Sequence, residues 1–175
     1  MSDAARKEVW EWVKTLAVAL VLALLIKNFL VEFPLVPTGS MIPTIQLQER
    51  IVVDKLTYRF KPVQRGDIVV FPNPDNNAEL YVKRAIGLPG ETVEIHDGKV
   101  FINGEALDEP YLRVVTQGRF GPYKVPEGHY FFLGDNRNSS RDSRFWTATH
   151  YIAAKDVKGK AQAIIWPLNK IRALR

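Results

Sequence analysis

From Thr15 to Val31 the chain is apolar with only Lys27 and Asn28 as interruptions. As a helix this stretch is roughly 25 Å long, slightly short of a hydrocarbon core of about 30 Å. Three structures fit such a segment: a cleavable secretory leader, an uncleaved membrane anchor and a buried core helix. The residues that follow, Val31-Glu32-Phe33-Pro34-Leu35, lack a small-residue cleavage pattern, so an uncleaved anchor is expected. Lys27 can snorkel to one interface, and Trp10 and Trp12 suit the headgroup level at the other. Arg6, Lys7 and Lys14 precede the span, and no Lys or Arg follows Lys27 until Arg50. The positive-inside rule therefore predicts a single-pass cell-membrane protein with a cytoplasmic N-terminus. Residues 1–31 form the cytoplasmic segment and anchor in this reading, and residues 32–175 an extracytoplasmic domain.

Beyond the anchor the pattern changes to short apolar or alternating runs separated by turn signals. It predicts strands over Arg50 to Lys55, Asp67 to Phe71, Tyr81 to Gly87, Thr92 to His96, Lys99 to Ile102, Tyr130 to Leu133 and Ala161 to Ile165. Asp97-Gly98 and Asn103-Gly104 are hairpin turn signals, so Thr92 to Ile102 reads as a two-stranded ribbon. The 11 Gly and 11 Pro are spread through the connections, which points to a mainly β domain.

Composition narrows the chemistry. With 46% hydrophobic and 25% charged residues the chain is expected to fold, and its length suits one domain plus an anchor. The net charge of +5 comes from basic residues scattered among acids, which suits an anionic lipid surface and argues against nucleic acid. Absence of cysteine excludes a disulfide framework, a thiolate nucleophile and a Cys-based zinc site. No metal or nucleotide motif is present, and no cofactor is expected.

Three segments carry candidate chemistry. Pro37-Thr38-Gly39-Ser40-Met41-Ile42-Pro43-Thr44 holds a serine in a Pro-bounded loop, a setting for a fixed, partly exposed nucleophile and equally for an ordinary turn. Lys83 lies on a strand whose alternation puts Tyr81, Lys83 and Ala85 on one face and Val82, Arg84 and Ile86 on the other. One of the two adjacent cations must therefore point opposite to its neighbour. An inward Lys83 would be desolvated, and its neutral amine could take a proton from serine; an outward one would be a solvated surface residue. Gly134 to Trp146 is dense in short polar side chains that can fix a loop, with Asp142 and Arg144 able to pair.

Together these segments resemble the type I signal peptidases, in which the nucleophile lies in Ser-Gly-Ser-Met-x-Pro-Thr and the base in Lys-Arg-x-Ile-Gly-Leu-Pro-Gly. The third family motif is Gly-Asp-Asn-Arg-x-x-Ser-x-Asp-Ser-Arg. The matching residues are Thr38 to Thr44, Lys83 to Gly90 and Gly134 to Arg144, and Arg65 to Phe71 is similar to a further family segment. The resemblance implies a β-rich catalytic domain with a smaller β insertion, assigned to about residues 91–126, after one N-terminal transmembrane helix. It implies a membrane-bound serine endopeptidase that cleaves signal peptides of exported preproteins with a Ser40–Lys83 dyad. Ser140 would hydrogen-bond and orient the lysine amine, and Asp142 and Arg144 would hold the loop. The oxyanion hole would combine the Ser40 N–H with the Thr38 hydroxyl. Small residues before the cut would enter pockets lined by Pro34, Val36, Met41, Tyr81 and Val82. Thr38 and Thr147 depart from the family's commoner Ser and Gly.

Three other readings compete. A Ser-His-Asp hydrolase would use His96, His129 or His150; neither His96, at a hairpin end, nor His129, in a turn, has a motif around it. A self-cleaving repressor would also use Ser and Lys but carries a DNA-binding segment where this chain has its apolar span. An anchored β-domain that only binds a partner would leave the polar segments structural.

Overall fold

The structure, a computed structural model, describes residues 3–174. Helix α1 (Asp3–Leu25) passes into a π-helical turn, Ile26–Leu30, that contains Lys27 and Asn28. Its stretch Arg6–Leu30 is 25 residues long, contains a strongly apolar window, and has no buried residue. A buried core helix is thereby excluded for this segment. The helix ends directly in β1 (Val31–Glu32).

The remaining strands are β2 (Arg50–Asp54), β3 (Ile68–Asn73), β4 (Asn76–Gly87), β5 (Thr92–His96), β6 (Lys99–Ile102), β7 (Glu105–Ala106), β8 (Phe120–Lys124), β9 (His129–Leu133), β10 (Ile152–Ala153), β11 (Gly159–Trp166) and β12 (Arg172–Ala173). The fold is mainly β. One antiparallel sheet runs β1-β2-β11-β3-β4-β9-β10 with β12 beside β11, and a smaller sheet runs β7-β6-β5-β8. All seven expected strands form. The pattern gave no sign of β8, and β4 begins at Asn76, earlier than expected.

Burial explains the patterns. Ile68-Val69-Val70-Phe71 on β3 and Tyr130-Phe131-Phe132-Leu133 on β9 are buried on both faces, so they read as unbroken apolar runs. On β9, Tyr130 and Phe132 join a cluster with Val69, Phe71, Ala85 and Trp146, while Phe131 and Leu133 join Ile86, Val93, Ile95 and Val100. The second cluster fastens the smaller sheet to one face of β4 and β9. A third cluster unites Val36, Met41, Ile45, Ile51, Val53, Ile68, Val70 and Ile164 across β2, β3 and β11. In the smaller sheet, Asp97-Gly98 and Asn103-Gly104 all have positive φ, the conformation that two-residue hairpin turns demand.

Candidate active site

Ser40 lies in the turn between β1 and β2. The two sides of that turn are fixed by Met41 and Ile45, both fully buried, with the Ile45 N–H donating to Met41 O at 2.9 Å. Below it the Val36 N–H donates to Glu49 O and the Gln48 N–H to Val36 O, each at 2.9 Å. Ser40 stays half-buried between these anchors.

Lys83 approaches from β4. Its Nζ donates to Ser40 Oγ at 2.6 Å and to Val82 O at 3.3 Å, and it lies 4.8 Å from the centre of the Tyr81 ring. Lys83 is only 3% exposed. Burial pushes its pKa down to about 8, against the raising influence of Asp142 and Asp135. Near that pH a large share of the amine is neutral, with a lone pair able to accept the Ser40 proton.

The alternation of β4 holds, yet both adjacent cations are buried, because sheet and loops cover both faces. Arg84 is 1% exposed and grips Asp135 with Nε donating to Oδ1 at 2.8 Å and Nη2 to Oδ2 at 2.6 Å. Its Nη1 donates to Gly66 O at 2.7 Å, and the guanidinium stacks 3.8 Å from the Tyr111 ring centre. Asp135 also accepts from Thr44 Oγ1. One buried carboxylate thus ties the nucleophile's turn to the strand that carries the amine. Neither Arg84 nor Asp135 was a candidate from sequence, although both lie in the motifs that held Lys83 and Ser140.

The polar loop after β9 closes the site from the third side. The Asn136 N–H donates to Ser40 O and its Nδ2 to Gly39 O, each at 3.0 Å. A Cβ on Gly134 would lie 2.5 Å from Ser40 O and 2.2 Å from Ser140 Oγ, so only glycine permits this approach. Asp142 accepts from Arg144 Nε and Nη2 at 2.8 Å and from the Gly134 N–H at 3.0 Å, all buried. Arg137 adds a brace to the loop beside the smaller sheet, donating to Glu109 and, at 3.2 Å, to Thr116.

Two expectations need correction. Ser140 is buried beside Gly134, but among the described residues its hydroxyl has no hydrogen-bond partner, the Lys83 amine included. The hydrogen bonds of the amine go to Ser40 and Val82 instead. Met41 does not line a pocket, because its side chain is spent filling the core cluster with Ile45 and Val36.

Pro34, Val36, Tyr81 and Val82 do line a cleft of about 550 Å³ that ends at Thr38 and Ser40, with Leu80 and Val70 completing its apolar walls. Thr38 Oγ1 lies 3.4 Å from Ser40 Oγ. The stretch of β4 from Leu80 to Val82 pairs with β3 alone, since β9 joins only from Arg84. The histidines are engaged elsewhere. His96 stacks on Phe101, and the Nδ1 atoms of His129 and His150 contact the carbonyls of Glu127 and Ser143.

A buried amine touching a hydroxyl at the end of an apolar cleft is the arrangement of a serine hydrolase that uses lysine in place of histidine. The chain belongs to the signal peptidase family, peptidase S26, whose family model matches residues 9–166. It is 42% identical to a signal peptidase I of Leptolyngbya laminosa over 94% of this chain and 83% of that protein. It is 44% identical to a signal peptidase I of Bacillus licheniformis over 98% of this chain and 96% of the relative. Among solved structures, a signal peptidase I from Enterococcus faecalis V583 is 39% identical, with a TM-score of 0.51 over 57% of this chain and 97% of that one.

Proposed function

We propose that this protein is a membrane-bound serine endopeptidase that removes N-terminal signal peptides from exported preproteins, with Ser40 as nucleophile and Lys83 as general base. The observation that carries the reading is the 2.6 Å contact between Ser40 Oγ and the buried Lys83 amine. Residues 1–31 act as cytoplasmic segment and lipid-embedded anchor, with residues 32–175 outside the membrane and about 91–126 forming a smaller insertion. The orientation rests on Arg6, Lys7 and Lys14 ahead of the apolar helix.

The substrate lies extended along the cleft, adding main-chain hydrogen bonds to the unpaired edge of β4 near Leu80 to Val82. Its small side chains before the cut face Pro34, Val36, Tyr81 and Val82. Neutral Lys83 accepts the Ser40 proton as Oγ attacks the scissile carbonyl carbon, and the oxyanion accepts hydrogen bonds from the Ser40 N–H and the Thr38 hydroxyl. The Lys83 ammonium then protonates the departing amine as the C–N bond breaks. Lys83 finally deprotonates the water that hydrolyses the ester on Ser40. Among the described residues nothing accepts the Ser40 N–H, which supports its part in the oxyanion hole.

Detergent-purified protein is expected to cut a preprotein with Ala at the first and third positions before the junction, and Ser40→Ala to abolish the cut. Intact preprotein after prolonged incubation with the wild type would remove the proteolytic reading. Thr38→Val keeps the branched shape and deletes the hydroxyl. Its expected effect is a fall in kcat of about 10²-fold with KM little changed, read by steady-state kinetics.

A further inference from the structure

A second cavity, of about 200 Å³, adjoins Ser40, lined by Lys83, Asn136, Ser139 and Arg141 among others. The two spaces share Thr38, Ser40 and Tyr81, and only the second touches Lys83. If Lys83 protonates the departing amine, the chain released with that amine leaves through the second space. Its character differs from that of the cleft, where the charged lining residue is Glu79. Here the lining presents Arg141, whose side chain is 57% exposed.

Arg141 is held from behind. Its Nη2 donates to Asp75 Oδ2 at 2.8 Å, and the other Asp75 oxygen accepts from the Thr147 N–H, Thr147 Oγ1 and the Ala148 N–H, each at 2.9 Å. Asp75 is 12% exposed, so its charge is turned inward and satisfied while the guanidinium faces the cavity with donors to spare. Thr147, a departure from the family pattern, supplies two of those bonds. We propose that Arg141 is a specificity determinant on the mature side of the cut, favouring substrates with a carboxylate among the first residues after the scissile bond. This rests on the proteolytic reading above.

The test is a peptide series with Ala at the first and third positions before the cut and Glu, Gln or Lys placed in turn at each of the first three positions after it. At low salt the wild type is expected to give kcat/KM for Glu over Lys of about threefold to tenfold at one of these positions, the scale of a solvent-exposed ion pair with modest steering. The ratio is expected to shrink toward one at about 1 M salt, where the screening length is about 3 Å. Arg141→Gln is expected to flatten it and Arg141→Lys to restore most of it. Because a ratio is read, a variant that folds less well lowers both rates alike and leaves the result interpretable. A flat series in the wild type, or an unchanged preference in Arg141→Gln, overturns the proposal even if all the peptides are cut. Failure to cut the Gln peptides at all overturns the proteolytic reading instead.

Discussion

Lys83→Met is expected to lower kcat on an Ala-x-Ala peptide by about 10³-fold or more while changing KM little, because it removes a proton acceptor and leaves the apolar cleft intact. The pH profile ties the loss to the amine. Lysine is a base only when neutral, and the neutral fraction of Lys83 rises as pH passes about 8, so wild-type kcat/KM should climb with a one-proton slope and level off above that. The methionine variant should lose this limb. Stability gives an independent reading. Below about pH 8 the native state holds a buried charge, whereas the unfolded chain titrates near the ordinary 10.5. Between those values the unfolded chain binds a proton the native state lacks, so native stability should rise with pH across that window. Lys83→Met should melt no lower than wild type at pH 7 and lose that pH-dependent gain. A variant that kept both activity and the rising limb would place the base elsewhere.

Some of this was legible in sequence because the determinants are local. The Asp97-Gly98 and Asn103-Gly104 turns carry their own backbone preference, so Thr92–His96 and Lys99–Ile102 were located to the residue. Phe120–Lys124 was not, because Gly121 and Pro122 break its alternation. Pro122 is tolerated because β8 is an edge strand. The first turns of β4, Asn76 to Leu80, are exposed and polar and owe their extended form to pairing with β3, which leaves no apolar period. In the site, Ser40 and Lys83 stood out through their surroundings. The Arg84–Asp135 pair did not, since alternation places Arg84 opposite Lys83 without saying what covers that face. The close approach of Ser140 to Gly134 is likewise a tertiary contact, which no local pattern encodes.

Asp135→Ala is expected to cost about 3–5 kcal/mol of stability, because it removes the buried counter-charge of a guanidinium that is 1% exposed. With urea m-values of about 1–3 kcal/mol/M, the midpoint should fall by an amount easily resolved in an unfolding curve. The companion measurement is Arg84→Met combined with Asp135→Leu. Replacing both charges by apolar groups removes the stranded ion, so most of the lost stability should return, to within about 2 kcal/mol of wild type. Activity should not return with it. Asp135 also accepts from Thr44 Oγ1 in the nucleophile's turn, and the loop it begins donates from Asn136 to Ser40 O at 3.0 Å. Without that carboxylate the turn and β4 lose the link that runs through Asp135, and a small shift between Ser40 and Lys83 lengthens a 2.6 Å contact on which proton transfer depends. A stable double variant with kcat reduced at least about tenfold would identify the buried pair as a positioning device. A stable double variant with full kcat would mean that the core clusters and the Asn136 hydrogen bonds hold hydroxyl and amine together without the buried pair.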